Sequence, residues 1–358
     1  MLPSEVNWDN WSSFFTNLDM WRRPVEQVLA LLGLSPVYIH PGFPGTSAAF
    51  AVDCAPLEAT YPVSGVSRVV VKFYPPMVHR DFQAEVSVRT ALQERATVVP
   101  YPRILLSGIL SDRINWPYII EEFRPGRATR EVWVDLTRDE RDILSRRLAA
   151  VLADLHSTPL SLLPSMSGDI DSWRHQTCQR LDTCMERLTR GPAGQERRLP
   201  ETLLADLRDF VEKNGKRLVD SVEASSLRLI HNDLTEDHLL IEKGQEEGDP
   251  WRISALLDYG DAKIGPIEEE WVVLSAGMFE MDPIAMRVFL GEYRDLTGAA
   301  ADSVCPDNPI FRERMLLLTL THQFCGEIVR EAMIRARVDP STVTDARTLM
   351  DVLWPILA

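Results

Sequence analysis

Residues 229–261 constrain this chain more than any other stretch. Leu229-Ile230 leads as an apolar run into His231-Asn232-Asp233-Leu234-Thr235-Glu236-Asp237-His238. A second apolar run follows at Leu239-Leu240-Ile241, and Ala255-Leu256-Leu257 leads into Asp258-Tyr259-Gly260-Asp261. Short apolar runs bounded by polar clusters read as strands, so the pattern predicts strand-borne loops that bring the carboxylates of Asp233 and Asp258 to one place. Moving a phosphate calls for such a pair: one carboxylate receives a hydroxyl proton and the other holds magnesium against a nucleotide. A lone His-x-Asp would read as a solvated turn, and it is the apolar flanks and the following Asp-Tyr-Gly-Asp that make it specific.

The rest of the chain gives that pair room to work. At 358 residues it is long enough for two lobes with a sizeable core. Apolar residues make up 45% and charged residues 25%, the balance of a globular protein. No run of about 18 apolar residues occurs, so no membrane span is expected. The start of the chain, Met1-Leu2-Pro3-Ser4-Glu5, lacks the basic and apolar regions of a secretory signal. Five cysteines, odd in number and without a C-x-x-C pair, suit reduced thiols, and the chain reads as cytoplasmic. A formal charge of −15 argues against a nucleic-acid surface. It is compatible with steering of a cationic ligand, although plain solubility is the commoner cause of such a charge.

Trp8, Trp11, Phe14, Phe15, Leu18 and Trp21 recur at near-helical spacing, and residues 1–34 read as a helical extension. Its aromatic stripe could form a lid, although packing on the body of the protein is the commoner fate of such a face. Strands are predicted at 37–40, 47–52, 69–74, 103–110 and 118–123, with a helix over 80–95, giving a five-stranded antiparallel sheet with one helix. Pro125-Gly126 breaks the chain there. The domains expected are therefore the extension 1–34, an N-lobe 35–125 and a C-lobe 126–358. Helices are predicted at 138–156, 169–189, 201–221, 268–280, 283–297, 309–334 and 341–355, and the loops 189–200 and 242–250 read as mobile.

Four further groups of residues are candidates for chemistry. Gly42 and Gly45 with Thr46 and Ser47 lie in a turn whose amides can approach phosphate oxygens, or which is an ordinary hairpin turn. Lys72 stands alone in Val69-Val70-Val71-Lys72-Phe73-Tyr74. It is either a solvated strand residue or an ammonium aimed at a nucleotide, and Glu85 on the next helix is its candidate partner. Glu121, Glu122 and Phe123 end the last strand, which by itself reads as an edge strand entering a turn. Glu268-Glu269-Glu270 could pair with ammonium groups of a ligand, or could simply complement the dipole of a helix start.

The order His231-x-Asp233, then Asp258-Tyr259-Gly260-Asp261, with Lys72 and Glu85 upstream, resembles the aminoglycoside phosphotransferase family, small-molecule relatives of protein kinases. The resemblance covers roughly 37–335 and is strongest over 226–271. It implies an α+β, two-lobed protein-kinase-like fold with a small antiparallel-sheet N-lobe and a larger, mainly helical C-lobe. It also implies an ATP- or GTP-dependent transfer of the γ-phosphate to a hydroxyl. On it, Asp233 is the proton acceptor and His231 orders its loop. Lys72, Glu85 and the segments at 42–47 and 121–123 hold the nucleotide, the last of these by main-chain groups at the purine edge, and Asp258 and Asp261 hold Mg2+. The chain departs from the family at the position five past Asp233, where His238 replaces asparagine. Imidazole is a poor magnesium ligand, so either His238 ligates, or Asp237 or water takes over, or the site runs on one well-held ion, or His238 simply bonds backbone.

The resemblance places acceptor contacts at Glu236, Asp237, Glu268, Glu270, Trp271 and Glu327. The expected partner is a small hydroxylated molecule, led by an aminoglycoside of the hygromycin type and cationic on that reading; another metabolite or natural product comes next. Nucleic acid and membrane are not expected, and the chain is expected to be a monomer or a homodimer. A nucleotide-binding pseudokinase-like regulator is the competing class, because His238 removes one ligand. Protein-kinase activity is disfavoured, since no Ala-Pro-Glu element follows Asp258.

Overall fold

A computed structural model describes residues 5–43, 45–57, 66–166, 168–189, 199–244 and 250–356. Most of the loops expected to be mobile, together with Pro44, lie outside the described residues. The chain forms two compact units, Met1–Ala96 with Pro100–Gly126 and Ser254–Ala262, and Thr97–Val99 with Arg127–Ile253 and Lys263–Ala358.

The first unit opens with α1 (Trp8–Trp11) and α2 (Leu18–Ala30), capped by Asn7 and Asn17. Strands β1 (Leu34–Ile39), β2 (Ala48–Pro56) and β3 (Arg68–Phe73) follow, then α3 (His79–Gln93), β4 (Ile104–Ser111) and β5 (Asn115–Glu122). They build the five-stranded antiparallel sheet that the sequence predicts, with its strands in the order β1-β2-β3-β5-β4. Alternation along β3 gives each face its character. Val69, Val71 and Phe73 face a core that includes Trp11, Trp21, Val25, Val28 and Trp116, and Trp21 stacks on Phe73 with ring centres 4.8 Å apart. Most of the N-terminal aromatic stripe thus packs on this core, with Trp11 and Trp21 buried and Trp8 exposed. On the other face Tyr74 and Ile119 pack with Phe82 and Val86 of α3, and this is also the side of Lys72.

The second unit is mainly helical. Antiparallel pairs of strands distant in sequence, β6 (Arg127–Ala128) with β8 (Leu239–Glu242) and β7 (Arg228–Ile230) with β9 (Lys263–Gly265), frame its loops. Around them lie α4 (Arg138–His156), α5 (Ile170–Asp182), α6 (Cys184–Thr189), α7 (Glu201–Ser221), α8 (Ile267–Ala276) and α9 (Pro283–Thr297). Beyond these come α10 (Ala301–Val304), α11 (Pro309–Thr321), α12 (Cys325–Arg335) and α13 (Ala346–Leu353). Helix α4 starts at a capping box between Thr137 and Glu140. Among the described residues no helix is long and apolar enough to cross a membrane.

Three sequence expectations are adjusted. The helix expected over 309–334 is two, because His322 turns extended and its Nδ1 accepts the Phe324 N–H at 3.2 Å, a side-chain bond that replaces the helical one. The helix over 169–189 likewise breaks at Thr183, between α5 and α6. Ser254–Ala262, expected in the larger lobe, folds with the first unit. The Arg124 guanidinium donates to the Ser254 carbonyl, the Ser254 hydroxyl to the Pro125 carbonyl, and the Leu256 N–H to that of Pro100.

Candidate active site

In the first unit, β3, α3 and the turn after Leu257 converge on Lys72. Its Nζ lies 2.8 Å from Glu85 Oε2 and 2.8 Å from Asp258 Oδ1. Lys72 is 8% exposed and Glu85 fully buried, which disposes of the solvated-strand alternative. Burial alone would lower the lysine pKa, but the charges of Asp258 and Glu85 offset it and hold the ammonium above its ordinary range. Burial raises the Glu85 carboxyl, and Lys72 and Arg89 more than reverse this, so it stays ionised.

Arg89, one turn after Glu85, is a residue that sequence reasoning passed over. It is 1% exposed, and its guanidinium donates to both Glu85 and Glu121 while lying against the Tyr259 ring. Glu121 was expected to matter through its backbone alone. Burial raises its carboxyl despite Arg89. Tyr74 also donates to Glu85, and burial beside these carboxylates pushes its phenol well above the usual range.

Asp258 occupies the left-handed region (φ 58°) and accepts from the Gly260 N–H at 3.4 Å. Asp81, four residues before Glu85 on α3, is a third carboxyl here. Burial, then the charges of Asp261 and Asp258, push it up to about 6. The spacing Asp81, Glu85, Arg89 puts all three on one helical face, a signal that was readable and missed.

The other candidates of this unit are less committed. A Cβ on Gly42 would come within 2.9 Å of the Phe50 ring, so packing already accounts for that glycine. Gly45 and Thr46 are exposed and Ser47 is buried. The Glu122 N–H donates to the Arg103 carbonyl at 3.0 Å, and Phe123 carries the Arg68 guanidinium over its ring at 5.1 Å.

In the second unit, the loop between β7 and β8 carries Asp233. Glu270, fully buried on α8, accepts from the His231 N–H at 2.6 Å and the Asn232 N–H at 3.1 Å. These bonds hold Asn232 in the left-handed region (φ 64°). Behind Glu270, His156 Nε2 lies 3.7 Å away and His156 Nδ1 meets Tyr293 Oη at 2.8 Å. His231 Nδ1 accepts the Asp233 N–H at 3.4 Å. Gly277 lets the end of α8 approach: a Cβ there would lie 3.1 Å from the Leu234 carbonyl oxygen. His238 puts Nδ1 2.6 Å from the Asp233 carbonyl oxygen and 3.3 Å from Asp233 Oδ2.

The acceptor candidates are mostly engaged within the unit. Glu268 is buried and pairs with Arg314 at 2.6 Å; Glu269 pairs with Lys263 at 2.8 Å; Glu270 serves the loop; and Trp271 is fully buried, donating to the Ser303 carbonyl. Glu236 pairs with Arg130 at 3.1 Å, and Asp237 with the same guanidinium. Burial raises the Asp237 carboxyl despite Arg130. Glu327 sits in the first turn of α12.

Among the described residues no three carboxylate, imidazole or thiol groups form a complete metal cage. Magnesium does not need one: it is usually held by one or two carboxylates with waters and substrate phosphates. The oxygen donors of Asp258 and Asp261 fit that regime.

The comparisons with known proteins bear on the fold and the family. No curated protein matches the chain. Among solved structures, the GDP complex of a mutant aminoglycoside 2'-phosphotransferase-IIIa is 16% identical, with 92% of this chain and 95% of that one covered and a TM-score of 0.59. A thermostable mutant of aminoglycoside phosphotransferase APH(4)-Ia, in ternary complex with ADP and hygromycin B, is 16% identical over 93% and 99% (TM-score 0.53). A streptomycin–ATP–APH(2")-IIa ternary complex is 15% identical over 98% and 99% (TM-score 0.53). These likenesses show a shared kinase-like fold. The phosphotransferase enzyme family matches residues 58–301, most of the chain and both of the loops that carry its acidic residues. A match of that extent decides the matter: this chain belongs to the phosphotransferase enzyme family.

Proposed function

We propose that the protein transfers the γ-phosphate of ATP or GTP to a hydroxyl group of a small molecule. The observation that carries this reading is the buried Lys72 held between Glu85 and Asp258, at 2.8 Å from each. A lysine so placed is dry, permanently charged and fixed, as the α- and β-phosphates of a nucleotide require.

In this reading the first unit is the nucleotide side. Lys72 neutralises phosphate oxygens and Glu85 keeps it aimed. The main chain at Gly42, Gly45, Thr46 and Ser47 lies over the phosphates, and that of Glu121, Glu122 and Phe123 meets the purine. Asp258 and Asp261 would hold Mg2+, which supplies charge stabilisation to the β- and γ-phosphate oxygens when bound. On the second unit, Asp233 receives the acceptor's hydroxyl proton as the new O–P bond forms. The bond from the γ-phosphorus to the β,γ-bridging oxygen breaks, and the nucleoside diphosphate leaves.

The acceptor class has two readings. An aminoglycoside is the first, in keeping with what the structural neighbours bind. A less cationic hydroxylated metabolite is the second. It is favoured by the carboxylates of Glu236, Asp237 and Glu268, each of which already faces an arginine. The test is ADP and GDP release with magnesium across aminoglycosides including hygromycin B, simple amino alcohols and sugars. Acceptor-dependent release that disappears in Asp233→Asn supports the proposal. Nucleotide binding without release for any acceptor, and no difference in Asp233→Asn, favours a pseudokinase-like regulator instead.

A further inference from the structure

The carboxylate of Asp233 has to point the same way in every turnover, yet the loop from Asn232 to His238 belongs to no helix or strand. Its order comes from hydrogen bonds to the main chain. The Asp233 N–H donates to His231 Nδ1 at 3.4 Å. The Asp233 carbonyl accepts twice, from the Thr235 N–H at 2.9 Å and from His238 Nδ1 at 2.6 Å. The His238 N–H in turn donates to the Thr235 carbonyl at 3.1 Å, which folds the turn so that the ring comes back over Asp233.

A carbonyl oxygen can only accept, so at 2.6 Å His238 Nδ1 must carry the hydrogen. The same nitrogen lies 3.3 Å from Asp233 Oδ2, next to the carboxylate that the reaction needs. One ring nitrogen is thus bonded to the Asp233 main-chain carbonyl and lies beside the Asp233 carboxylate and, at 3.2 Å, the Thr235 hydroxyl.

We propose that His238 is a positioning residue for Asp233, whose Nδ1–H fixes the Asp233 carbonyl and thereby the direction of its carboxylate. The inference rests on the phosphotransferase reading and gives the unusual histidine a role in which it binds no magnesium. The substitution for asparagine then exchanges one function for another and leaves the site competent.

The geometry separates the two ring nitrogens. In His238→Asn the side-chain NH2 falls near the place of Nδ1, while in His238→Gln it falls near that of Nε2. The experiment measures kcat, the KM for nucleotide and the half-saturating Mg2+ concentration for the wild type and for His238→Ala, His238→Asn and His238→Gln, with thermal melts to confirm folding. Loss of an orienting partner of this kind lowers activity about 10–100-fold. That fall is expected in kcat for His238→Ala, with KM and the Mg2+ requirement changed by less than about twofold. His238→Asn should recover most of the loss and His238→Gln should not.

An unchanged kcat in His238→Ala, a raised Mg2+ requirement, or recovery by Gln and not Asn would each overturn the proposal. A second measurement needs no acceptor: long-range 1H–15N correlation on labelled protein reads the His238 tautomer directly. An Nδ1–H ring is expected, and an Nε2–H ring refutes the geometry. If the wild type turns over no acceptor while the ring is Nδ1–H, the phosphotransferase reading fails and the hydrogen-bond assignment stands.

Discussion

The lysine cluster of the first unit and the Asp233 loop of the second are both fixed, but by different physics. Around Lys72, order comes from charge: Asp258, Lys72, Glu85, Arg89 and Glu121 alternate in sign, all of them buried except the half-exposed Asp258. Around Asp233, order comes from main-chain hydrogen bonds, with Glu270, His231 and His238 serving amides and a carbonyl. Buried charges are unforgiving, because removing one partner strands another in low dielectric. Main-chain caps degrade more gently, since each bond contributes about 0.5–1.5 kcal/mol net. Damage to the first region should therefore unfold it, whereas damage to the second should misdirect it.

The largest effect expected is on chemistry without loss of fold. Asp233→Asn should lower turnover by roughly 10²–10⁴-fold with an unchanged melting temperature, as read by nucleoside diphosphate release and calorimetry. Retained turnover would remove Asp233 from its proposed role. Next comes Arg89→Met, which leaves Glu85 and Glu121 buried without their shared cation. A loss of about 3–5 kcal/mol is expected in urea unfolding; a change below 1 kcal/mol would show that the cluster is not held by charge.

Glu270→Gln is the counterpart in the second unit. One amide oxygen must then serve two N–H groups that two carboxylate oxygens now serve. Stability should fall by about 1–3 kcal/mol, with kcat falling and nucleotide KM unchanged. A KM effect as large as the kcat effect would contradict the separation of roles.

The smallest effect concerns His322, the residue that splits α11 from α12. Burial, then Lys263, push its pKa down to about 4, with Arg180 and Arg187 adding to the effect. Its Nδ1 accepts a main-chain N–H, so protonation breaks that bond. The folded pKa is below the ordinary value near 6.5, so the unfolded chain binds the extra proton first. The stability contributed is complete above about pH 6.5 and is lost as pH falls towards 4. Wild type should lose a few degrees more of melting temperature than His322→Asn between pH 7 and 5. Parallel melting curves for the two proteins would argue against it.

Much of this was legible in the residues themselves. Alternation in Val69–Tyr74 set the sheet's two faces, and the polar loops bounded by apolar runs located Asp233 and Asp258. The antiparallel sheet follows from such local patterns, because strand and helix periodicity are properties of consecutive residues; the kinase-like fold came from the resemblance that the two acidic motifs carry. The splitting of helix 309–334 was not legible, since a side chain taking over a backbone bond leaves no mark on periodicity.

Partner choice is where the sequence by itself ran out. It determined that Lys72 is an unusual lysine, that Glu85 could meet it, and that Glu268-Glu269-Glu270 begins a helix. Only the tertiary structure decided that Arg89 links Glu85 to Glu121 and that Ser254–Ala262 joins the first unit. It also decided that Glu268, Glu269 and Glu270 turn to Arg314, Lys263 and the loop amides. The reason is physical: a charged side chain exposes the same chemistry in every sequence context. What it does depends on which opposite charge or orphan amide the fold buries beside it, and in this chain those partners are distant in sequence.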